Sequence, residues 1–227
     1  MNNMYPLSVK QWNPFVGCKH HCSYCKPSFQ AQLKRWAKSN CRLCYEFKPH
    51  IHEDRLSASL PRTGYMQFIF TCASGDIAFC PESFMEEILK SIKLFYYDKT
   101  FLIQSKDPRI FHTFRFPENV ILGTTIETNY QSLTRTVSKA PDPQIRYRAL
   151  RELDHPLKMV TIEPVMRFDL DTMLRWIIDI NPCMVWMGYD SKDTGLIEPS
   201  VQYFRRLYWE LSKRGFLVLL KRVKEQR

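Results

Sequence analysis

The sequence lacks the features of a membrane, exported or repetitive protein. It has no run of about 18 apolar residues that could span a bilayer. It also has no N-terminal signal-peptide pattern, no internal repeat and no low-complexity tract. We therefore expect a cytoplasmic protein without a membrane partner. The 227 residues, 44% hydrophobic and 25% charged, suit a single globular domain, 1–227, with a substantial core.

Acidic side chains are too few to balance the basic ones, and the formal net charge is +10. Residues 1–63 carry a charge of +7 and residues 201–227 carry +6, whereas residues 64–200 are slightly acidic. Two basic ends favour a polyanionic partner such as DNA or RNA. A solvated basic surface without such a partner explains the same charges.

Eight cysteines in a chain without an export signal favour a reducing compartment, where thiols bind metals. Cys18, Cys22 and Cys25 stand in a C-x3-C-x2-C spacing on one short segment. Three such thiolates can hold three corners of a cubane iron–sulfur cluster. Because a closed electron-transfer cluster needs four thiolates, one iron would remain open for chemistry. Structural zinc is the alternative, although zinc sites usually pair their cysteines as C-x2-C units.

This spacing, with the aromatic Tyr24 just before the last cysteine, resembles the radical S-adenosylmethionine (SAM) enzymes. In that family the open iron of a [4Fe-4S] cluster binds SAM. An electron from the cluster then cleaves SAM to a 5′-deoxyadenosyl radical, which abstracts hydrogen from a substrate. Residues 12–18 (WNPFVGC) resemble the opening of the phage Gp37/Gp68-like branch, which is related at motif level to the spore photoproduct lyases. Further blocks of that resemblance lie at 74–76, 105–108, 123–129, 162–164 and 188–191.

The alternation of short, continuous apolar segments with helical sequence predicts a parallel sheet that is buried on both faces. The predicted strands lie at 5–13, 65–72, 100–104, 120–125, 158–162, 183–187 and 216–220. About six strand–helix units and a final strand fill this length. The prediction is therefore an α/β fold, an incomplete (β/α)6-type, TIM-like barrel. A polar insertion containing cysteine and histidine, at about 39–63, follows the first helix.

Polar residues follow the predicted strands at their carboxyl ends, where such folds carry their functional sites. By the family resemblance, the cofactor-binding residues are Tyr24, Ser74, Gly75, Asp76, Thr125 and Glu127. The candidates for substrate contact and catalysis are Glu163, Lys106, Asp190 and Lys221. For Glu163 and Lys106 the alternative is a salt bridge across the mouth of the barrel.

The insertion contains a second group of potential metal ligands. Its four donors, enough for tetrahedral zinc, are Cys41, Cys44, His50 and His52. The alternatives are a loop without metal, or a second iron–sulfur cluster that recruits one of the remaining cysteines. These remaining cysteines, otherwise expected in the core, are Cys72, Cys80 and Cys183.

Three functions are consistent with these patterns. The first is a radical SAM enzyme that modifies or repairs nucleic acid, with Trp36, Tyr45 and Phe47 available to stack on exposed bases. The second is the same chemistry on a small molecule or peptide. The third is a non-catalytic, zinc-binding nucleic-acid adaptor. Both enzyme hypotheses require an electron donor such as flavodoxin or ferredoxin.

Overall fold

The computed structural model describes residues 5–38, 40–94, 98–221 and 223. Residue 39, where the predicted insertion begins, lies outside the described residues. The strands in this part of the chain are β1 (Ser8–Trp12), β2 (Phe15–Val16), β3 (His50–Ile51), β4 (Phe68–Thr71), β5 (Phe101–Gln104), β6 (Val120–Thr125), β7 (Lys158–Ile162), β8 (Met184–Met187) and β9 (Val218–Leu220). The α-helices are α1 (Ala31–Ala37), α2 (Arg42–Glu46), α3 (Glu82–Lys93), α4 (Gln131–Val137), α5 (Pro143–Glu152), α6 (Leu170–Ile180) and α7 (Val201–Lys213).

Seven of these described strands form one parallel sheet. Its order is β1-β4-β5-β6-β7-β8-β9, so each strand added along the chain extends the same edge. The strands β2 and β3 form a separate antiparallel pair beside it. The predicted α/β fold, an incomplete barrel with a cysteine- and histidine-containing insertion, is confirmed. No helix in the described ranges has the length and apolar character needed to cross a membrane.

Local sequence sets the helix boundaries. Asp169 caps α6 by accepting a 2.9 Å hydrogen bond from the backbone amide of Thr172, as its position before an apolar helix predicts. The same helix ends at Asn181, which adopts the left-handed conformation that asparagine tolerates better than most residues. Ser200 caps α7 in the same way through the amide of Tyr203. These caps set the residues at which α6 begins and ends and at which α7 begins.

The inner face of the curved sheet changes character along the strands. Near the amino ends it is apolar, formed by residues such as Leu102 and Met159. Toward the carboxyl ends it carries Gln104 and Thr161, and both side chains bond to the hydroxyl of Tyr5, at 2.7 and 2.8 Å. Tyr5 is fully buried against the inner face, so the amino-terminal part of the barrel interior is filled with side chains. The polar side chains lie toward the carboxyl-terminal mouth, which is where barrels of this kind have their functional sites.

Candidate active site at the carboxyl ends of the strands

The cysteine loop is joined by backbone hydrogen bonds to the loop that follows β4. The amide of Gly17 donates to the carbonyl of Ser74 at 3.0 Å, and the amide of Asp76 donates to the carbonyl of Gly17 at 3.1 Å. A Cβ atom on Gly75 would lie 2.9 Å from the carbonyl oxygen of Gly17, so glycine permits this close approach. The segment that begins at Cys18 therefore starts at the mouth of the barrel.

Three thiols with distinct hydrogen-bond partners lie on this loop. The sulfur of Cys18 accepts from the backbone amide of His20 at 3.4 Å, the sulfur of Cys22 is 3.1 Å from the hydroxyl of Ser138, and the sulfur of Cys25 accepts from the side-chain amide of Gln30 at 3.4 Å. Burial raises the pKa of the Cys18 thiol well above its usual range, and nearby carboxylate and thiol charges add to this. Burial raises the pKa of Cys25 as well. Because thiolates in such surroundings need compensating positive charge, this donor set fits a cationic iron–sulfur centre.

Asp76 is buried beside the first cysteine and accepts three hydrogen bonds, from the hydroxyl of Ser105 at 2.5 Å, the backbone amide of Lys106 at 2.8 Å and the backbone amide of Ala78 at 3.1 Å. Nε2 of His20 lies 3.1 Å from its carboxylate. Burial alone would disfavour the ionised form, but the His20 contact and these hydrogen bonds together lower the pKa of Asp76. Cys18, His20 and Asp76 each have one potential metal-ligand atom here, and these three atoms lie within 4.8 Å of one another. The mouth therefore keeps a fixed negative charge next to the cysteine loop.

Glu127, two residues beyond β6, is the centre of a buried ionic network. It accepts a 2.5 Å hydrogen bond from the hydroxyl of Tyr24, pairs with the ammonium of Lys106, and meets Nη1 of Arg146 at 2.7 Å. Burial opposes ionisation of Glu127, but the two cations and these hydrogen bonds prevail and hold its pKa far below the usual range. The side chain is thus a permanently charged carboxylate that links the cysteine loop to the sheet.

Arg146 is a site residue that sequence reasoning missed. It lies on α5, is fully buried, and also donates from Nη1 to the carbonyl of Thr125 at 2.5 Å. Its Nη2 atom is buried without a hydrogen-bond partner among the described residues. Nothing in the sequence separates it from Arg148 and Arg151 on the same helix, so no signal was available.

Glu163 and Lys221 form a second ion pair, with Oε1 and Nζ 2.6 Å apart. Burial raises the pKa of Glu163, and the charge of Asp190 adds to this, although Lys221 acts in the opposite direction. The other oxygen of Glu163, Oε2, is buried without a hydrogen-bond partner among the described residues. Glu163 and Lys106 are therefore each held in a salt bridge, with Lys221 and Glu127 respectively rather than with one another, and their catalytic roles stay predictions.

Asp190 and Thr125 are buried and engaged in hydrogen bonds. One carboxylate oxygen of Asp190 accepts from the amide of Lys192 at 3.0 Å, and the other accepts from Thr194. These bonds order the loop after β8. The hydroxyl of Thr125 accepts from the amide of Gln104 at 3.0 Å on the inner face of the barrel. Their roles in binding substrate or SAM stay predictions.

The four donors of the insertion converge, with Cys41, Cys44, His50 and His52 within 4.8 Å of one another. Among the remaining cysteines, Cys183 is exposed, so its expected core position is wrong. Cys183 lies just before β8, and the buried residues of that strand begin at Met184. Cys72 and Cys80 are buried as expected.

Two of the three aromatic residues proposed to stack on bases are exposed. Trp36 and Tyr45 are 54% and 42% exposed, and Arg55 and Lys34 respectively lie over their rings at 6.0 and 5.7 Å. Phe47 is instead buried against the ring of Phe29, because the chain reverses in a left-handed conformation at Phe47 and turns its side chain inward.

No protein-family model and no curated protein matches the sequence. Solved structures do match the fold. One is a radical SAM methyltransferase from Sphaerobacter thermophilus, with a TM-score of 0.55 and 12% identity over 98% of this chain and 68% of that protein. Another is Streptococcus suis SuiB bound to S-adenosylmethionine, with a TM-score of 0.53 and 11% identity over 97% of this chain and 51% of SuiB. The chain thus spans about two thirds of the first protein and half of the second. Its fold is the partial barrel of radical SAM enzymes.

Proposed function

We propose that this chain is a radical SAM enzyme that modifies or repairs nucleic acid. The observation that carries the enzyme class is the arrangement of the C-x3-C-x2-C loop at the carboxyl-terminal mouth of a partial barrel. There Asp76 and Glu127 place two ionised carboxylates beside it. The shared fold with SAM-dependent enzymes supports the same reading.

Cys18, Cys22 and Cys25 would hold the cluster, which when bound supplies the electron that cleaves SAM to a 5′-deoxyadenosyl radical. The chain's own residues would bind and orient the reactants. Segment 74–76 is the proposed contact for the SAM amino group, because its backbone is fixed against Gly17. Glu127 and Thr125 are proposed to meet the ribose or methionyl part.

Glu163 is the candidate for contact with substrate at the reacting end. Its Oε2 has no hydrogen-bond partner in the described residues, and its raised pKa suits a group that exchanges a proton. Lys221, 2.6 Å away, would orient it. Lys106 is held by Glu127, and Asp190 is held by the amide of Thr194 in its own loop, so we propose a positioning role for both.

The substrate class rests on charge. Besides the net charge of +10, the cleft beside His20 is lined by Lys19, Lys139 and Arg109, the last of which is paired with Asp107 in the same cleft. The exposed rings of Trp36 and Tyr45, each with a cation over it, offer surfaces on which unpaired bases can stack. A single-stranded or flipped nucleotide is therefore the proposed target.

We propose a cytoplasmic location and a flavodoxin or ferredoxin as electron donor, because the cluster requires a reducing environment and a one-electron source. The test of the enzyme class is anaerobic reconstitution with iron and sulfide, followed by dithionite and SAM, with 5′-deoxyadenosine quantified by mass spectrometry. Production by the native chain and loss in Cys18→Ala, Cys22→Ala and Cys25→Ala would support the class. Tightly bound zinc without iron or SAM cleavage would favour the non-catalytic adaptor instead.

The nucleic-acid substrate is tested by binding of fluorescent single-stranded RNA and DNA at two salt concentrations. About three phosphate contacts predict a loss of affinity of roughly 20-fold between 50 and 200 mM salt. Lys19→Glu and Lys139→Glu should weaken binding, whereas Lys93→Glu, exposed on α3 and outside the cleft, should have a smaller effect. No binding, or equal loss in all three variants, would contradict the proposal.

A peptide substrate is the second candidate. It is favoured by the similarity of fold to SuiB, which has been solved bound to the precursor peptide SuiA; that match has a TM-score of 0.53 and 11% identity and covers 97% of this chain and 49% of SuiB. A small molecule remains the related alternative. SAM cleavage that is stimulated by a peptide or metabolite extract, but not by oligonucleotides, would favour a peptide or small-molecule substrate over nucleic acid.

A further inference from the structure

The insertion brings four metal-binding side chains around one point. The sulfur of Cys44 lies 3.3 Å from Nε2 of His50 and 3.3 Å from Nε2 of His52, and the sulfur of Cys41 lies 3.4 Å from Nε2 of His50. A tetrahedral zinc ion with Zn–S of about 2.3 Å and Zn–N of about 2.0 Å separates its sulfur and nitrogen ligands by about 3.5 Å. We propose that Cys41, Cys44, His50 and His52 bind one structural zinc ion. This proposal does not rest on the proposed function.

The local backbone explains how such a short spacing provides four ligands. Cys41 caps α2 and Cys44 follows in its first turn, with the amide of Cys44 donating to the sulfur of Cys41 at 3.4 Å. The chain then reverses at Phe47, whose φ is 56°. His50 and His52 flank Ile51 in an extended segment, so both rings project from the same side.

The ring of His50 is oriented for metal binding by a contact behind it. Its Nδ1 lies 2.7 Å from the carbonyl oxygen of Lys48. A carbonyl can only accept, so Nδ1 carries the proton and Nε2 presents its lone pair to the two sulfurs. Metal-binding histidines commonly have such an outer partner, which fixes the tautomer.

The same geometry disfavours the two alternatives. A second cluster would need further thiols, but Cys72 and Cys80 are in the main core and Cys183 is at the start of β8. A two-iron centre with two cysteines and two histidines would place its sulfur and nitrogen ligands on different irons. Here each histidine nitrogen lies within 3.4 Å of a cysteine sulfur, as expected around a single ion. Without a metal, only weak S–H···N hydrogen bonds would hold these four side chains together, and the single proton of Cys44 could serve only one of its two histidine neighbours.

The zinc would fasten the insertion to the start of the cysteine loop. His50 pairs with Val16 in the β2–β3 ladder, two residues before Cys18. Cys44 is fully buried in a small core with Val16 and Ala37. All four ligand positions come from the protein, so the ion has no open site for a reactant and its role is structural.

The test is to measure the zinc content of the full chain after the iron–sulfur centre has been removed. The removal is done anaerobically with a mild chelator and without acid. We expect about one zinc per chain to survive iron removal. Replacement by Co²⁺ should give the visible absorption of a tetrahedral, thiolate-bound ion. Native protein without zinc, or Co²⁺ bound with an octahedral, pale spectrum, would overturn the proposal.

Variants assign the ligands. Cys41→Ser, at a partly exposed position, and His50→Ala should each reduce zinc from about one ion to about none per chain. Cys183→Ser, which removes an exposed thiol at the start of β8, should retain it and is the matched control. Full zinc content in Cys41→Ser and His50→Ala would refute the assignment. If one of these variants does not fold, the Co²⁺ spectrum of a triple variant, Cys18→Ala with Cys22→Ala and Cys25→Ala, decides the question, because that chain lacks the other group of thiols.

Discussion

The hydroxyl of Tyr24 donates a 2.5 Å hydrogen bond to Oε1 of Glu127. Tyr24 is the residue before the third cysteine of the triplet, and Glu127 follows strand β6. This one bond therefore connects the metal-binding loop to the middle of the sheet. It assigns a physical role to the aromatic residue of the motif, which is to hold the loop against a buried carboxylate.

Tyr24→Phe removes only this hydroxyl. A hydrogen bond to a charged group contributes roughly 1.5 to 3 kcal/mol, and we expect the free energy of unfolding to fall by that amount in an anaerobic urea titration. Iron content should persist because the ring remains. An unchanged stability would show that the Tyr24 bond contributes nothing.

Arg146→Met tests the buried ion pair with Glu127. Removing one partner leaves an uncompensated charge, which costs about 3 to 5 kcal/mol. The double variant Arg146→Met with Glu127→Gln should lose less than the two single losses combined, because each single change strands the other charge. Strict additivity in urea unfolding would mean that the pair is not coupled.

Stability should fall in acid through Glu127. Because its pKa is lower in the folded chain than in the unfolded chain, the ionised carboxylate stabilises the fold above its unfolded pKa, near 4.5. That contribution is lost as the pH falls below this value. Unfolding measured from pH 7 to pH 3.5 should therefore show a shallower decline for Glu127→Gln than for the native chain. Glu86→Gln, exposed on α3, should follow the native curve.

Gly17→Ala should disrupt the junction between the cysteine loop and the insertion. The φ of Gly17 is +103°, and an added Cβ would lie 2.3 Å from the carbonyl carbon and oxygen of Lys48. Gly215→Ala is the control, because Gly215 also has a positive φ but an added Cβ there would have no atom within 4 Å. Its loss of stability therefore measures the backbone strain alone, about 1 to 2 kcal/mol. The loss for Gly17→Ala should be at least twice that, with lower iron content. Equal losses would show that the contact with Lys48 is easily relieved.

The sheet was predictable because its strands are continuous apolar runs, and all seven lie within the predicted segments. The β2–β3 pair was not, since strands of two residues have no periodicity to detect. The burial of Phe47 was also missed, because a residue other than glycine in the left-handed conformation gives no signal in the sequence.

Candidate site residues were predicted from the family resemblance and from their position after strands. Such a position predicts that the side chains lie near one another, but not which of them form pairs. Lys106 was assigned to substrate contact, yet its ammonium is held by Glu127. Such pairings depend on packing between segments far apart in the chain. Arg146 illustrates the limit, since only the docking of α5 against the sheet distinguishes it from neighbouring arginines.

The strands β1 and β9 lie at opposite edges of the sheet and do not pair in the part of the chain that the structure describes. A closed barrel admits reactants only through its mouth, so a polymer would have to enter by a free end or a looped-out unit. An unclosed barrel has a lateral gap as well. If the substrate is a nucleic acid, as proposed above, the enzyme would bind an internal position of a long strand from the side and release it by the same route, without threading.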